Sequence, residues 1–209
     1  NFVGAGRTDA GVHAIGQVAH VDLGTDRDCE TVEKAINYYL SKYPVSILGA
    51  KKVSKDFHAR YSAIKRYYTY KIFSRTTDLT FERSQFWHVR HPLNTSKMEL
   101  AASYLIGKHD FTAFRSSICQ ASSPIKTIDS IEIKSEKIRD GIIYYFDLSA
   151  RSFLHNQVRS IVGCLEKVGC GKWDPQKVQK VLLSKERSKC AALAPPRGLY
   201  LSEIKYEIL

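Results

Sequence analysis

The chain has no Cys-x-x-Cys pair, little proline or glycine, and no hydrophobic run of membrane-spanning length. Only 6 Pro and 12 Gly occur among 209 residues, which excludes collagen-like and low-complexity classes. With 44% hydrophobic and 11% aromatic residues, disorder is excluded as well, because enough apolar surface exists to offset the entropy of folding. The 5 cysteines (Cys29, Cys119, Cys164, Cys170 and Cys190) are odd in number. Without paired spacing they make neither a disulfide framework nor a zinc knuckle, and Cys164 and Cys170 read as small apolar fillers. Reduced thiols in an intracellular compartment are expected, the cytoplasm first and an organelle or the nucleus as alternatives. No apolar stretch approaches the roughly 18–20 residues of a spanning helix, so no membrane partner is expected. The opening Asn1-Phe2-Val3-Gly4 lacks the basic-then-apolar pattern of a secretory signal, and the missing initiator Met implies a start elsewhere. His88 and His91 sit three apart with no acidic or Cys companion at ligand spacing, so neither a metal nor another cofactor is expected.

Acidic residues are also in short supply. The sequence has 21 Asp+Glu against 32 Lys+Arg, for a net charge of +11. Such an excess points to a polyanion, most often nucleic acid, although a solvated Lys-rich surface produces the same count. The length suits one or two domains with a sizeable core.

Patterning places the elements. Val12 to Leu23 alternates with a register change near Gly16, a strand with a bulge. Asp28 caps a helix whose stripe is Val32, Ala35, Ile36, Tyr39 and Leu40, with Pro44 as its stop. Val45 to Val53 reads as a second strand, and Asp56 to Arg60 as a connection. Tyr68, Tyr70 and Ile72 alternate in a strand with a short partner at Gln85 to Val89. Ser96-Lys97-Met98-Glu99 has the form of a capping box opening a helix that ends by Gly107. Ile128–Ser135 and Gly141–Ala150 alternate across a charged turn. Leu154, Val158, Ile161, Leu165 and Val168 step at helical spacing, Pro175–Ser184 forms another helix, and Leu199–Leu209 a closing strand. Strands and helices mix without a βαβ rhythm, so an α+β fold is expected, with a mixed, mainly antiparallel sheet backed by helices.

The densest chemical signal is Gly4-Ala5-Gly6-Arg7-Thr8-Asp9-Ala10-Gly11-Val12-His13-Ala14. It begins like a dinucleotide loop, but Asp9 stands where the third glycine is needed and no helix follows. Arg7 and Asp9, two apart in extended chain, point the same way. A guanidinium beside a carboxylate favours the ionised acid, and Gly6 and Gly11 admit a bulky ligand to the backbone. Asp9 is thus a candidate nucleophile, with a structural Arg–Asp pair as the alternative. His13, His58 and His155 read as hydrogen-bonding scaffold, and Arg159 falls at the edge of its helix stripe.

The run Gly6-Arg7-Thr8-Asp9-Ala10-Gly11-Val12-His13-Ala14 resembles the active-site motif of the TruA family of tRNA pseudouridine synthases. Four further segments resemble the family in order. They are Phe57-His58-Ala59-Arg60 with Arg66-Tyr67-Tyr68-Thr69-Tyr70, the stretch Gly107 to Arg115, the stretch Ser152 to Arg159 running on to Gly163, and Gly198-Leu199-Tyr200-Leu201. The likeness covers essentially the whole chain, although the family's leading strand before the motif is missing.

The resemblance implies isomerisation of uridine to pseudouridine in the tRNA anticodon stem–loop, by a homodimer and without cofactor. It makes Asp9 the catalytic aspartate. Arg7 would hold the flipped uridine by inserting where the base had been, Tyr68 would stack on the target base, and Arg159 would pair with Asp9 and orient it. Extracting a base from folded RNA costs a few kcal/mol, and a stacking tyrosine worth about 1–3 kcal/mol offsets that. The motif is compatible with attack at C1′, attack at C6, or removal of the C2′ proton. Two halves are expected, an incomplete N-terminal domain over residues 1–60 with the Asp motif and a C-terminal domain over 61–209, flanking a basic cleft. The competing class is a non-catalytic RNA-binding or chaperone protein that keeps the fold. A hydrolase built on Asp9 lacks a second carboxylate.

Overall fold

A computed structural model gives the fold of residues 2–207. Its centre is the strand β4 (Ala63–Ser74), numbered in chain order among the strands. Before it come β1 (Phe2–Gly4), β2 (His13–Ala14), β3 (Ala19–Val21) and the helix α1 (Cys29–Leu40). After it follow β5 (Trp87–Val89), α2 (Thr95–Ser103), β6 (Gly107–Asp110), β7 (Ile125–Ile138), β8 (Gly141–Ala150), α3 (Gln157–Gly169), α4 (Pro175–Ser184) and β9 (Leu199–Tyr206).

Seven strands form one mixed sheet in the order β2-β9-β4-β8-β7-β6, with β5 running parallel to the end of β4. The β4–β8 ladder is antiparallel without a break from Arg66↔Ala150 to Ser74↔Ile142. β1 and β3 make a separate two-stranded antiparallel ribbon. Among the described residues no helix is long and apolar enough to cross a membrane.

One face of the large sheet is covered by helices. Tyr70 and Ile72 of β4, Phe146 and Leu148 of β8, and Ile131 and Ile133 of β7 meet Met98 of α2, Ile161 and Leu165 of α3, and Val178 of α4. Ile161 and Leu165 are fully buried, so truncating either to Ala costs about 2–5 kcal/mol. Close approach is set by Gly163, where a Cβ would lie 2.3 Å from the Ala192 carbonyl oxygen. A second, smaller cluster holds Ala5, Ala59, Ala63, Leu201 and Ile204, and Tyr68 packs against both clusters.

Several local expectations need correction. Val12 to Leu23 is not one bulged strand. His13–Ala14 pairs in parallel with β9 while Ala19–Val21 pairs with β1. Gly16 marks the transfer between sheets, because a Cβ there would sit 2.4 Å from the Ser202 carbonyl oxygen. Val45–Val53 forms no strand. The Asn37 side chain takes the place of a ladder, donating to Ile47 O at 2.9 Å and accepting from Ile47 N at 2.7 Å. The cap of α2 is Asn94, whose side chain accepts from Lys97 N, rather than Ser96. The final strand ends at Tyr206, and its expected last two residues, 208–209, lie outside the described range. α1 is capped by Asp28 as expected, yet none of its residues is buried.

Candidate active site

Asp9 lies in the loop between β1 and β2. The loop is closed by a turn in which Val12 N–H donates to Asp9 O at 3.0 Å. Gly11 occupies the third position of that turn at φ 81°, a conformation that a Cβ disfavours. Pins on both sides hold the loop. Ala5 N donates to Val18 O at 2.8 Å, and the Gln17 amide donates to Gly6 O at 2.8 Å. His13 stacks on Tyr200 of β9 with ring centroids 4.6 Å apart.

The partners of Asp9 come from far along the chain. After β8 the chain reaches Asn156, which adopts the left-handed region at φ 65° and opens α3. Asparagine tolerates that region better than most residues. His155 precedes the turn and Arg159 follows it in the first turn of α3. The Arg159 guanidinium donates through Nη1 to Asp9 Oδ2 at 3.0 Å and to Asn156 Oδ1 at 3.1 Å, and through Nε to Ala194 O at 2.8 Å. His155 Nε2 lies 3.0 Å from Asp9 Oδ1. Each carboxylate oxygen therefore has its own partner, while the Asp9 side chain stays 31% exposed. A carboxylate so held presents one fixed orientation to an incoming ligand.

Tyr68 stands beside this pair. Its ring meets Phe153 edge-on at 5.2 Å, and its hydroxyl faces Gly6, where a Cβ would lie 3.9 Å away. Burial pushes its phenol above the ordinary tyrosine range, the Arg66 charge lowers it, and the nearby Asp9 adds a further upward push. Burial also raises the phenol of Tyr70, which donates to Pro195 O at 2.7 Å.

The spacing of Arg7 and Asp9 offers a pair between them and the resemblance offers Arg159 as the partner; the structure joins Asp9 to Arg159 and not to Arg7. Arg7 is exposed and makes no ion pair among the described residues. Arg7 and Asp9 lie outside any strand, so the alternation that would aim both side chains the same way does not apply there. His155 was read as scaffold because no acceptor stood near it in sequence; Asp9 is that acceptor. His13 and His58 do serve as scaffold, His13 bonding to Ser84 O and His58 Nδ1 accepting from Arg60 N and Tyr61 N.

Two further features were missed. Arg66 is buried and ties together three carbonyls, donating to Arg151 O at 2.6 Å, Arg60 O at 2.7 Å and Ala5 O at 3.1 Å. It shares the period-two face of Tyr68 and Tyr70, which is the signal that could have marked it. His91, left without companions by spacing along the chain, meets Glu166 and Cys170 in space.

Comparison with known proteins agrees with this architecture. The family model described as tRNA pseudouridine synthase matches residues 101–207. A tRNA pseudouridine synthase A of Paracoccus denitrificans is 51% identical over 97% of this chain and 78% of its own length. That of Cereibacter sphaeroides (strain ATCC 17025 / ATH 2.4.3) is 48% identical over 97% and 79%. That of Parvibaculum lavamentivorans is 50% identical over 98% and 81%. The class these likenesses define is that of isomerases acting on RNA, enzymes that rearrange a nucleoside without changing its composition. Within it, the chain belongs to the tRNA pseudouridine synthase family, TruA branch.

Proposed function

We propose that this protein isomerises uridine to pseudouridine in the anticodon stem–loop of tRNA, with Asp9 as the catalytic carboxylate. The observation that carries the reading is the double clasp on Asp9, by Arg159 at 3.0 Å and His155 at 3.0 Å, on a side chain that remains open to solvent.

The reaction breaks the C1′–N1 bond, turns the uracil, forms C1′–C5, and moves the C5 proton so that N1 ends protonated. No electrons leave and no atoms are added, so the chain's own acid, base and aromatic groups suffice. Asp9 supplies the carboxylate at the ribose–uracil junction. Arg159, anchored through Nε to Ala194 O, positions that carboxylate and balances its charge. Tyr68, edge-on to Phe153, offers an aromatic face to the detached base. Arg7, exposed at the lip of the loop, takes the space in the RNA stack that the flipped base leaves.

Phosphate contacts follow the charge. Lys108, Lys126 and Arg151 line a shallow groove with Thr127, Asp129 and Ser152, next in sequence to the segment carrying His155. Such a groove suits an RNA backbone. Residues 1–60 and 61–209 form the two halves of the functional unit in this reading, and two copies of the chain share each tRNA.

The test is Asp9→Ala on an unmodified tRNA transcript, scored by mass spectrometry of the nucleosides and by chemical mapping of pseudouridine along the strand. Product formation should fall by about 10⁴-fold or more while tRNA binding stays within a few-fold. Pseudouridine outside the anticodon stem–loop would overturn the site assignment. Binding without product by the unaltered chain would favour an RNA chaperone.

A further inference from the structure

We propose that His91, Glu166 and Cys170 form a binding site for a zinc-class divalent cation at the C-terminal end of α3. One ligand atom of each lies within 4.8 Å of the other two. His91 Nε2 is 3.0 Å from Glu166 Oε1. Glu166 itself is 3% exposed, and its second oxygen, Oε2, makes no hydrogen bond. Lys167 Nζ lies 3.1 Å from that oxygen as an ion pair without hydrogen-bonding geometry, on a side chain that is 31% exposed. A buried carboxylate oxygen held only by a partly exposed ammonium is a weakly satisfied acceptor, and a directly bound cation satisfies it fully.

The donor set selects the ion. One imidazole nitrogen, one carboxylate oxygen and one thiolate are ligands of zinc rather than of magnesium or calcium, which take oxygen alone. Zinc bonds of about 2.0–2.3 Å put tetrahedral ligands about 3.3–3.8 Å apart, so the His91–Glu166 pair, now at 3.0 Å, opens slightly while the wider spacings, none above 4.8 Å, contract. The His91 side chain is 42% exposed, which gives the ion access and leaves a fourth position for water. On binding, the Cys170 thiol, which now donates to Lys167 O at 3.4 Å, releases its proton to solvent. The His91 imidazole, whose Nε2–H now faces the Glu166 carboxylate, gives up that proton to solvent, holds its remaining or incoming proton on Nδ1 and offers the Nε2 lone pair, and the Lys167 ammonium swings outward.

The three residues sit on rigid supports. Asn94 N donates to Gly169 O at 2.9 Å, and the Leu93 backbone exchanges hydrogen bonds with Tyr144 Oη at 3.0 and 3.1 Å. The segment after β5 is thereby fixed against the end of α3 before any ion arrives, which lowers the ordering cost of binding. Glu166 lies seven residues along α3 from Arg159, about 10 Å at the helical rise. The ion therefore acts as a clamp on the helix that positions Asp9, away from the reacting atoms.

The test uses the purified, reduced chain and two probes, Co²⁺ and Zn²⁺. Co²⁺ titration should give a near-ultraviolet thiolate charge-transfer band and tetrahedral visible bands that saturate at one equivalent, and Zn²⁺ should erase both. Cys170→Ser should abolish the charge-transfer band, and His91→Asn should weaken Zn²⁺ binding by at least about tenfold in equilibrium dialysis. Cys190→Ser should change neither. Zn²⁺ should raise the melting temperature of the unaltered chain and not that of Cys170→Ser. The proposal is overturned by the absence of saturable binding, by a charge-transfer band that survives Cys170→Ser, or by Zn²⁺ binding that neither substitution alters. Should His91→Asn fail to fold, Cys170→Ser decides alone, because its side chain sits past the last turn of the helix.

Discussion

Arg159 and Asp9 are 150 residues apart in the chain and 3.0 Å apart in the fold. The guanidinium makes this contact while also holding Asn156 and Ala194, so three separate segments converge on one side chain. Arg159→Gln should leave tRNA affinity nearly unchanged and lower kcat by about 10²-fold, the scale of a misplaced reacting group. Arg159→Lys should recover only part of this, because an ammonium lacks the fork that reaches two acceptors. Single-turnover kinetics at saturating enzyme checks both, and an equal rise in KM would assign Arg159 to RNA binding instead.

His155 supports the other carboxylate oxygen. His155→Asn keeps a donor on a similar-sized side chain and should cost less than about tenfold in kcat, whereas His155→Phe should cost more. Equal rates for the two variants would show that its hydrogen bond to Asp9 is idle.

Tyr68 and Tyr70 carry a pH prediction. Burial holds both phenols above the value of 10.0 for a free tyrosine. Below pH 10 both states are neutral and the contribution to stability is full. Above it the unfolded chain ionises first, so stability is lost as pH rises through the folded values. An ultraviolet tyrosinate titration should show a late class that ionises together with unfolding by circular dichroism, and Tyr70→Phe should shrink it.

Gly163 admits no side chain, with the Ala192 carbonyl oxygen 2.3 Å from the Cβ position. Gly163→Ala should destabilise by about 1–3 kcal/mol, a fall of several degrees in Tm. Since it pushes on the segment that supplies Ala194 O to Arg159, kcat should fall along with Tm. A variant with unchanged Tm would mean that the segment yields freely.

Salt gives a fifth handle. With a net charge of +11, tRNA affinity should drop at least about tenfold between 50 and 200 mM monovalent salt, linearly on logarithmic axes. Lys126→Glu in the basic groove should flatten that slope, and a slope unaltered by the substitution would place the RNA elsewhere.

Much of the sheet and helix framework was legible in the residues. Tyr68, Tyr70 and Ile72 fixed a strand by alternation, and Gly141–Ala150 and Pro175–Ser184 matched the observed bounds of β8 and α4. What failed was local inference at places decided by distant partners. Val45–Val53 has strand composition but pairs with no strand among the described residues, and the Asn37 side chain bonds its backbone at Ile47. Arg7 and Asp9 look paired at a spacing of two, but neither lies in a strand, and the carboxylate is held by Arg159 from 150 residues away. The His91 cluster was invisible for a related reason: its ligands come from two segments whose proximity only the packing of α3 creates.

The parallel pairing of β2 with β9 joins His13 to Tyr200 and Ala14 to Leu201. A ribosome releases the Asp9 loop near the start of these residues and its neighbouring strand near their end, at about 5–20 residues per second. For roughly 10–40 s the nascent chain exposes its acidic motif without the strand that sets its register or the arginine that orients it. The surroundings of Asp9 therefore come together only after α3 and then β9 have been made. A ribosome that stalls before β9 leaves His13 and Ala14 without the strand that sets their register.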